Sequence, residues 1–340
     1  MLCRNGLFLS LTLNSLFSLS VTQDPCVTVD GREGRCVPVN SCAWILTKSL
    51  TEKDTFHKSE CGTLDDSTPL VCCRKWTNLE SCGYGQSDDD GMRRESGEFP
   101  WVVDVLFKRL GRNHLFKCTG SLINREYVLT AAHCVKDMPF RLKPHKVRVK
   151  RGQKFKEYDV ERFIVHPNYT TDFNNKINDL ALLKLAQTVD FTDQVQPACL
   201  PVDDVSDQLP KSGQTVSIYA AGPSRTDSVR RDKKLISMQV RDPALCNRYY
   251  REVYLELAPV QLCVGGEIGR DACPGDSGGP LMLKRETGKL DNQITSTSQV
   301  RWYQVGIVSL GPQHCGGKIP GIYVNLLNYI EWIEATVDTD

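Results

Sequence analysis

Three short segments of the 340-residue chain hold residue types whose joint chemistry is acyl transfer. Thr130-Ala131-Ala132-His133-Cys134 sets a histidine in a small-residue turn braced by a cysteine. Asn178-Asp179-Leu180-Ala181-Leu182-Leu183 puts a carboxylate at the mouth of an apolar strand. Gly275-Asp276-Ser277-Gly278-Gly279-Pro280 holds a serine in a glycine-rich bend. A serine hydroxyl is a weak nucleophile until an adjacent imidazole takes its proton. A buried carboxylate fixes the tautomer of that imidazole and stabilises the imidazolium. Flanking glycines let backbone N–H groups turn toward one point, where a tetrahedral oxyanion can sit. Each signal alone is modest, and His57, His114, His145, His166 and His314 have no such surroundings. The conjunction, in the order His, Asp, Ser, matches a known triad order.

The elements around these segments read as short strands. From Phe99-Pro100-Trp101 onward come Trp101–Leu106, Tyr127–Leu129, Leu180–Leu185 and Gln304–Leu310, each bounded by Gly, Pro, Asn or Asp, as in an all-β sandwich or barrel. Leu326-Leu327-x-Tyr329-Ile330-x-Trp332-Ile333 has the i, i+3, i+4 spacing of one amphipathic helix at the C-terminus. Upstream, residues 26–73 hold Cys26, Cys36, Cys42, Cys61, Cys72 and Cys73 in a segment too short to bury much core. Disulfides suit it better than zinc, because no C-x-x-C pair or Cys/His quartet occurs there. Six cysteines allow fifteen pairings, and spacing alone does not choose among them. Residues 74–96 are a polar connector with the acidic run Asp88-Asp89-Asp90, and residues 97–340 form the second domain.

Composition bounds the function classes. The 42 basic and 41 acidic residues leave a net charge of +1, which gives no global field for nucleic acid or an anionic membrane. Fifteen cysteines point to an oxidising compartment, although an odd count cannot pair completely. Residues 1–23 read as a signal peptide, with Arg4, an apolar stretch from Leu7 to Val21 and the small residues Ser18 and Ser20 before the cut. Its removal takes Cys3 away and leaves an even number, so the mature protein is expected to be secreted. No other stretch is apolar enough to span a membrane.

At the three chemical segments the chain resembles the chymotrypsin-like serine proteases, over roughly residues 97–337. The resemblance implies a chymotrypsin-like double β-barrel with a C-terminal helix, behind a small disulfide-rich domain. It implies Ser277 as nucleophile, His133 as general base and acid, Asp179 as its orienting partner, and the Gly275 and Ser277 N–H groups as the oxyanion hole. Ser309 would lie beside the substrate main chain, with Leu310 in place of the usual Trp. Asp271 falls where trypsin-like members keep a pocket-floor carboxylate, and Gly311 and Gly321 match the pocket walls, which implies Arg or Lys at P1. The six-cysteine module resembles a clip domain, whose pairing would be Cys26–Cys72, Cys36–Cys61 and Cys42–Cys73. The remaining family pairs would be Cys82–Cys199, Cys118–Cys134, Cys246–Cys263 and Cys273–Cys315. A clip domain before a trypsin-like domain resembles arthropod haemolymph cascade proteases of melanisation, Toll activation or dorsoventral patterning, with protein substrates, an upstream activating protease and serpin-type inhibitors. The resemblance implies no cofactor.

One departure divides the functional reading. Family zymogens are cut between Arg or Lys and Ile/Val-Val-Gly-Gly about a dozen residues before the Pro-Trp pair. The freed α-amino group then pairs with the residue matching Asp276. Here that count reaches Ser87-Asp88-Asp89-Asp90-Gly91, with no basic residue at the cut and no apolar residue to insert. A terminus beginning with Asp88-Asp89 would bring like charge toward Asp276. Cleavage after Arg93 or Arg94 leaves seven or six residues before Trp101, too short a stub. An endopeptidase with an atypical activation segment and a non-catalytic homologue that assembles cascade members are both carried forward.

Three lesser features remain. Residues 141–156 carry eight basic residues and no acid, read as a solvated strand face in preference to an exosite for a polyanion. Gln153 and the surrounding lysines argue against calcium there, so no metal is expected. Asn168-Tyr169-Thr170 is an N-glycosylation sequon.

Overall fold

The computed structural model describes residues 25–29, 31, 33–39, 42, 45, 53–64, 68–74, 82–84, 99–109, 112–138, 142–152, 154–170, 175–202, 210–220, 233–287, 299–312 and 314–338. The signal-peptide reading, residues 85–98 and Gln153 lie outside them. The chain divides between Lys75 and Trp76 into two compact units.

In the first unit, strands β1 (Pro25–Val27), β2 (Glu33–Pro38), β3 (Glu60–Leu64) and β4 (Thr68–Arg74) form one sheet in the order β1-β2-β4-β3. Helix α1 (Lys53–Ser59) precedes β3. The buried apolar cluster is small, built on Cys42, Ile45 and Val71. Cys26–Cys72, Cys36–Cys61 and Cys42–Cys73 are bonded, so covalent links reinforce a core that hydrophobic burial supplies only thinly.

The second unit is two closed antiparallel barrels of six strands each. The first runs β5 (Val102–Arg109), β6 (Arg112–Leu122), β7 (Tyr127–Thr130), β8 (Pro144–Arg151), β9 (Lys154–Val165) and β10 (Ala181–Leu185), with β9 paired to β10 to close the circle. The second contains β11 (Thr215–Ala220), β12 (Lys234–Arg241), β13 (Gln261–Val264), β14 (Pro280–Thr287), β15 (Gln299–Leu310) and β16 (Gly321–Asn325). Alternation makes these strands: in β12, Ile236, Met238 and Val240 are buried while Lys234 and Gln239 are exposed. Closure removes the sheet edges that would otherwise pair with other chains.

The C-terminal amphipathic segment folds in two steps, a 3-10 turn over Leu326–Tyr329 and a helix over Ile330–Asp338. Leu326, Tyr329 and Ile333 are buried and join the core of the first barrel. The i, i+3 spacing that suggests one helix fits a 3-10 turn equally well, so the pattern cannot mark the change. Among the described residues, no helix is long and apolar enough to cross a membrane.

Candidate active site

Strand register brings the first two chemical segments together. Ala181 of β10 pairs with Thr130 of β7, so Asp179 before one strand and His133 after the other leave the barrel at the same end. His133 opens a one-turn helix α2 (His133–Lys136). Its Nδ1 lies 2.8 Å from Asp179 Oδ2, and its backbone N–H donates to Asp179 Oδ1 at 2.8 Å. Ser309 Oγ donates to Asp179 Oδ2 at 2.5 Å. Burial alone would raise the Asp179 carboxyl, but the His133 charge and these three donors reverse it and hold the group below its ordinary range.

The preceding residue, Asn178, adopts a left-handed φ of 57°, a conformation that Asn tolerates better than most side chains. Both ends of its amide are engaged: Nδ2 donates to the Asn168 carbonyl and Oδ1 accepts from Tyr329 Oη, each at 2.8 Å. Tyr169 donates a short hydrogen bond to Asp137, which caps the C-terminus of α2, so the loop before Asp179 is also tied to the helix carrying His133.

Ser277 stands on the second barrel, in the loop before β14. Gly278 N–H donates to Val308 O at 2.9 Å and Thr119 N–H to Ser277 O at 2.8 Å, so the loop is gripped from both barrels. The glycines are required by space: a Cβ on Gly278, at φ +80°, would lie 2.2 Å from Thr130 Oγ1. The Cys118–Cys134 bond marks the meeting point, because Cys134 Sγ is 3.9 Å from His133 Nε2 and 3.7 Å from the Ser277 carbonyl oxygen. Both sulfurs are spent in the disulfide, so this group offers no thiolate to a metal. Gly275 has a φ of 103°, and its carbonyl accepts from Thr119 Oγ1 at 3.0 Å. Among the described residues, the Gly275 and Ser277 N–H groups have no protein acceptor.

Next to this loop lies a buried acidic group, Asp271 with Asp276 and Glu267 close by. Asp271 is 3% exposed, and its Oδ2 accepts the Gly316 N–H at 2.8 Å. Burial raises its carboxyl, the Gly316 and Ala272 amides pull it back, and the nearby Asp276 and Glu267 push it up again, to a net rise. Nothing stands within 4 Å of where a Cβ on Gly311 would project, whereas at Gly321 it would meet Tyr323 at 3.1 Å. Cys273–Cys315 joins the two sides. Leu310, in place of the usual Trp, packs against the cluster of Cys246, Leu255, Cys263 and Ile322. Asp276 is buried, and its Oδ2 accepts the Cys273 N–H at 2.9 Å.

Other residues singled out in the sequence lie away from this centre. Asn168 is exposed in a turn. Cys82–Cys199 and Cys246–Cys263 are bonded. In the basic segment Lys146 pairs with Asp159, Arg148 with Glu157 and Lys156 with Asp190, so neighbouring acids offset three of its eight charges. Sequence reading missed the Ser309–Asp179 bond, the Asn178 conformation and the role of Thr119; only an Asn directly before the Asp hinted at any of them.

Comparison with known proteins agrees with this geometry. A trypsin family model matches residues 89–333, and a model described as the regulatory CLIP domain of proteinases matches residues 26–73. CLIP domain-containing serine protease B15 of Anopheles gambiae is 33% identical over 92% of this chain and 91% of its own. Phenoloxidase-activating factor 1 of Holotrichia diomphalia is 29% identical over 95% of this chain and 96% of its own. The crystal structure of the Drosophila Grass clip serine protease of the Toll pathway superposes with a TM-score of 0.64 at 25% identity, covering 93% of this chain and 98% of that one.

Proposed function

The chain belongs to the clip-domain serine proteases of the trypsin family, and from that premise we propose that it is a secreted endopeptidase that cleaves protein substrates after Arg or Lys in an extracellular cascade. The observation that carries the reading is the His133–Asp179 hydrogen bond beside the Ser277 loop. In this reading the Ser277 hydroxyl attacks the scissile carbonyl while His133 takes its proton. Asp179, held by Ser309 and the His133 amide, keeps Nδ1 protonated so that Nε2 is the base. The Gly275 and Ser277 N–H groups receive the developing oxyanion. His133 then returns the proton to the leaving amine, and water repeats the sequence on the acyl-enzyme.

Asp271 would select the substrate. A buried carboxylate with only backbone donors around it favours a cation at the end of the recess, and a planar guanidinium can meet it in two hydrogen bonds. Gly311 would leave the way open for a long side chain. Asp276 is the residue that an activating terminus would pair with, and Asn168, exposed in its turn, would carry a glycan. The names of the similar proteins, a phenoloxidase-activating factor and a Toll-pathway protease, favour a cascade of that kind, with an upstream protease and a serpin-type inhibitor as partners.

A second reading, a non-catalytic homologue that assembles cascade members, is favoured by one observation. The connector lacks a basic residue followed by Ile/Val-Val-Gly-Gly. Fluorophosphonate labelling and Arg-amide hydrolysis, before and after limited proteolysis with N-terminal sequencing of the product, separate the two. The enzyme reading expects both signals after processing and neither in Ser277→Ala. Processing that exposes a new terminus with no labelling favours the homologue.

A further inference from the structure

We propose that Thr119 is a positioning residue for the oxyanion loop, oriented by Lys233 and Asp104; the proposal rests on the serine protease reading above. Thr119, 1% exposed on β6 of the first barrel, meets the nucleophile loop of the second barrel at three points. Its N–H donates to Ser277 O at 2.8 Å, and its Oγ1 donates to Gly275 O at 3.0 Å. A Cβ on Gly279 would stand 2.9 Å from the Asp276 carbonyl oxygen and 3.2 Å from Thr119 Cγ2, so the Thr119 methyl packs against a glycine that the loop itself requires. Its own carbonyl accepts from Thr130 Oγ1 at 2.8 Å, which fixes the hub to β7.

Lys233 gives this hub a direction. Its Nζ donates to Thr119 Oγ1 at 3.2 Å and is neutralised by Asp104 Oδ1 at 2.8 Å. An ammonium has donors and no acceptor, whereas a hydroxyl has one proton. With Lys233 donating, the Thr119 hydroxyl must accept on that side and commit its single proton to Gly275 O. The peptide so held lies between the two N–H groups assigned to the oxyanion, that of Gly275 before it and that of Ser277 after it. At a φ of 103° Gly275 has wide conformational freedom, which the bond to its carbonyl restricts. Asp104, Lys233 and Thr119 therefore act on the tetrahedral state through the loop and leave the cation recess at Asp271 untouched.

That division of labour is measurable with two ligands of the full chain after limited proteolysis, its two parts still joined through Cys82–Cys199. A peptidyl argininal forms a hemiacetal: a bond forms between Ser277 Oγ and the aldehyde carbon, the C=O π bond breaks, and the serine proton passes to His133. The resulting oxyanion needs the loop. Benzamidine needs only the recess. Thr119→Val, near in shape but without the hydroxyl, is expected to weaken the argininal and lower kcat each by about ten-fold, the effect of one lost hydrogen bond. Benzamidine affinity and KM stay unchanged, Thr119→Ser restores the argininal, and Lys233→Met mimics Thr119→Val. Equal weakening of both ligands, or no weakening of the argininal, overturns the proposal. If the processed wild type, its new terminus verified by sequencing, binds no argininal and takes no fluorophosphonate, the enzyme reading fails, and amide hydrogen exchange at residues 275–277 decides the positioning claim. Faster exchange in Thr119→Val and Lys233→Met but not in Thr119→Ser supports it; unchanged exchange overturns it.

Discussion

Two buried aspartates in the site are shifted in opposite directions. Asp179 gains three donors, the His133 ring, the His133 amide and Ser309 Oγ, and its carboxyl is depressed despite burial. Its contribution to folding is present above the unfolded carboxylate value and is lost as pH falls through the lower folded value. Asp271 has backbone donors only, and burial with neighbouring acids raises it. Its ionised form opposes folding above the unfolded value of 3.8, and that cost is relieved as pH falls through the raised one. Benzamidine affinity is therefore expected to fall, on acidification, at a pH above the ordinary carboxylate range, as titration calorimetry across pH 4–8 would detect. Asp271→Asn should abolish the binding yet raise the melting temperature at neutral pH. A constant affinity over that range, or a lower melting temperature, contradicts this account. Asp179→Asn should preserve the packing but admit the wrong imidazole tautomer, with a loss of about 10⁴-fold in kcat on an Arg-amide substrate.

At the scale of elements, the C-terminal turn and helix bear on the residue before Asp179 as well as on the core. Tyr329 Oη, at the end of the 3-10 turn, donates to the left-handed Asn178 one residue before Asp179, while Ile333 anchors the helix that follows in the first-barrel core. Ile333→Ala should destabilise the second unit by about 2–5 kcal/mol, through lost burial and the cavity left behind, measurable by denaturant unfolding. Tyr329→Phe keeps the ring and removes only the bond, so kcat should fall several-fold with little loss of stability. A large stability loss without a kcat effect would make Tyr329 a packing residue alone. Several strands were readable as short β-rich runs bounded by turn residues, Gln304–Leu310 among them, but the Gln299 end of β15 was not. Its residues pair with Thr287 at the far end of β14, a contact made across the hairpin that leaves no local periodicity.

Across the whole molecule, the two units differ in what stabilises them. The clip unit has a core of a few residues, and closing the 46-residue span between Cys26 and Cys72 is worth about 4 kcal/mol against the unfolded chain. Mild reduction should therefore increase hydrogen exchange through residues 26–73 while the barrels stay protected. The connector is held at Cys82 by more than its disulfide. Gly83 N–H donates to Pro197 O and Trp302 N–H to Gly83 O, while Arg301 donates to Cys82 O and lies over the Tyr84 ring. Cleavage anywhere between 85 and 98 should leave one band on a non-reducing denaturing gel and two bands after reduction. Two bands without reductant would contradict the tether.

The sequence by itself determined the family and the class of fold, and it pointed to the chemistry proposed above. Ser277 among glycines, His133 beside Cys134 and Asp179 before an apolar strand are local signatures, because a glycine-rich bend, a small-residue turn and a strand mouth each depend on adjacent residues. Short β-rich runs bounded by turn residues were enough to read strands, and cysteine number was enough to read a disulfide-stapled architecture. The tertiary structure alone decided which hydroxyl supports the Asp179 carboxylate, which conformation Asn178 adopts, and that Thr119 of one barrel grips the loop of the other. The reason is sequence separation: Thr119 and Gly275 lie 156 residues apart, and Ser309 and Asp179 lie 130 apart. Contacts across such spans are set by barrel closure and strand register, which no local residue pattern encodes.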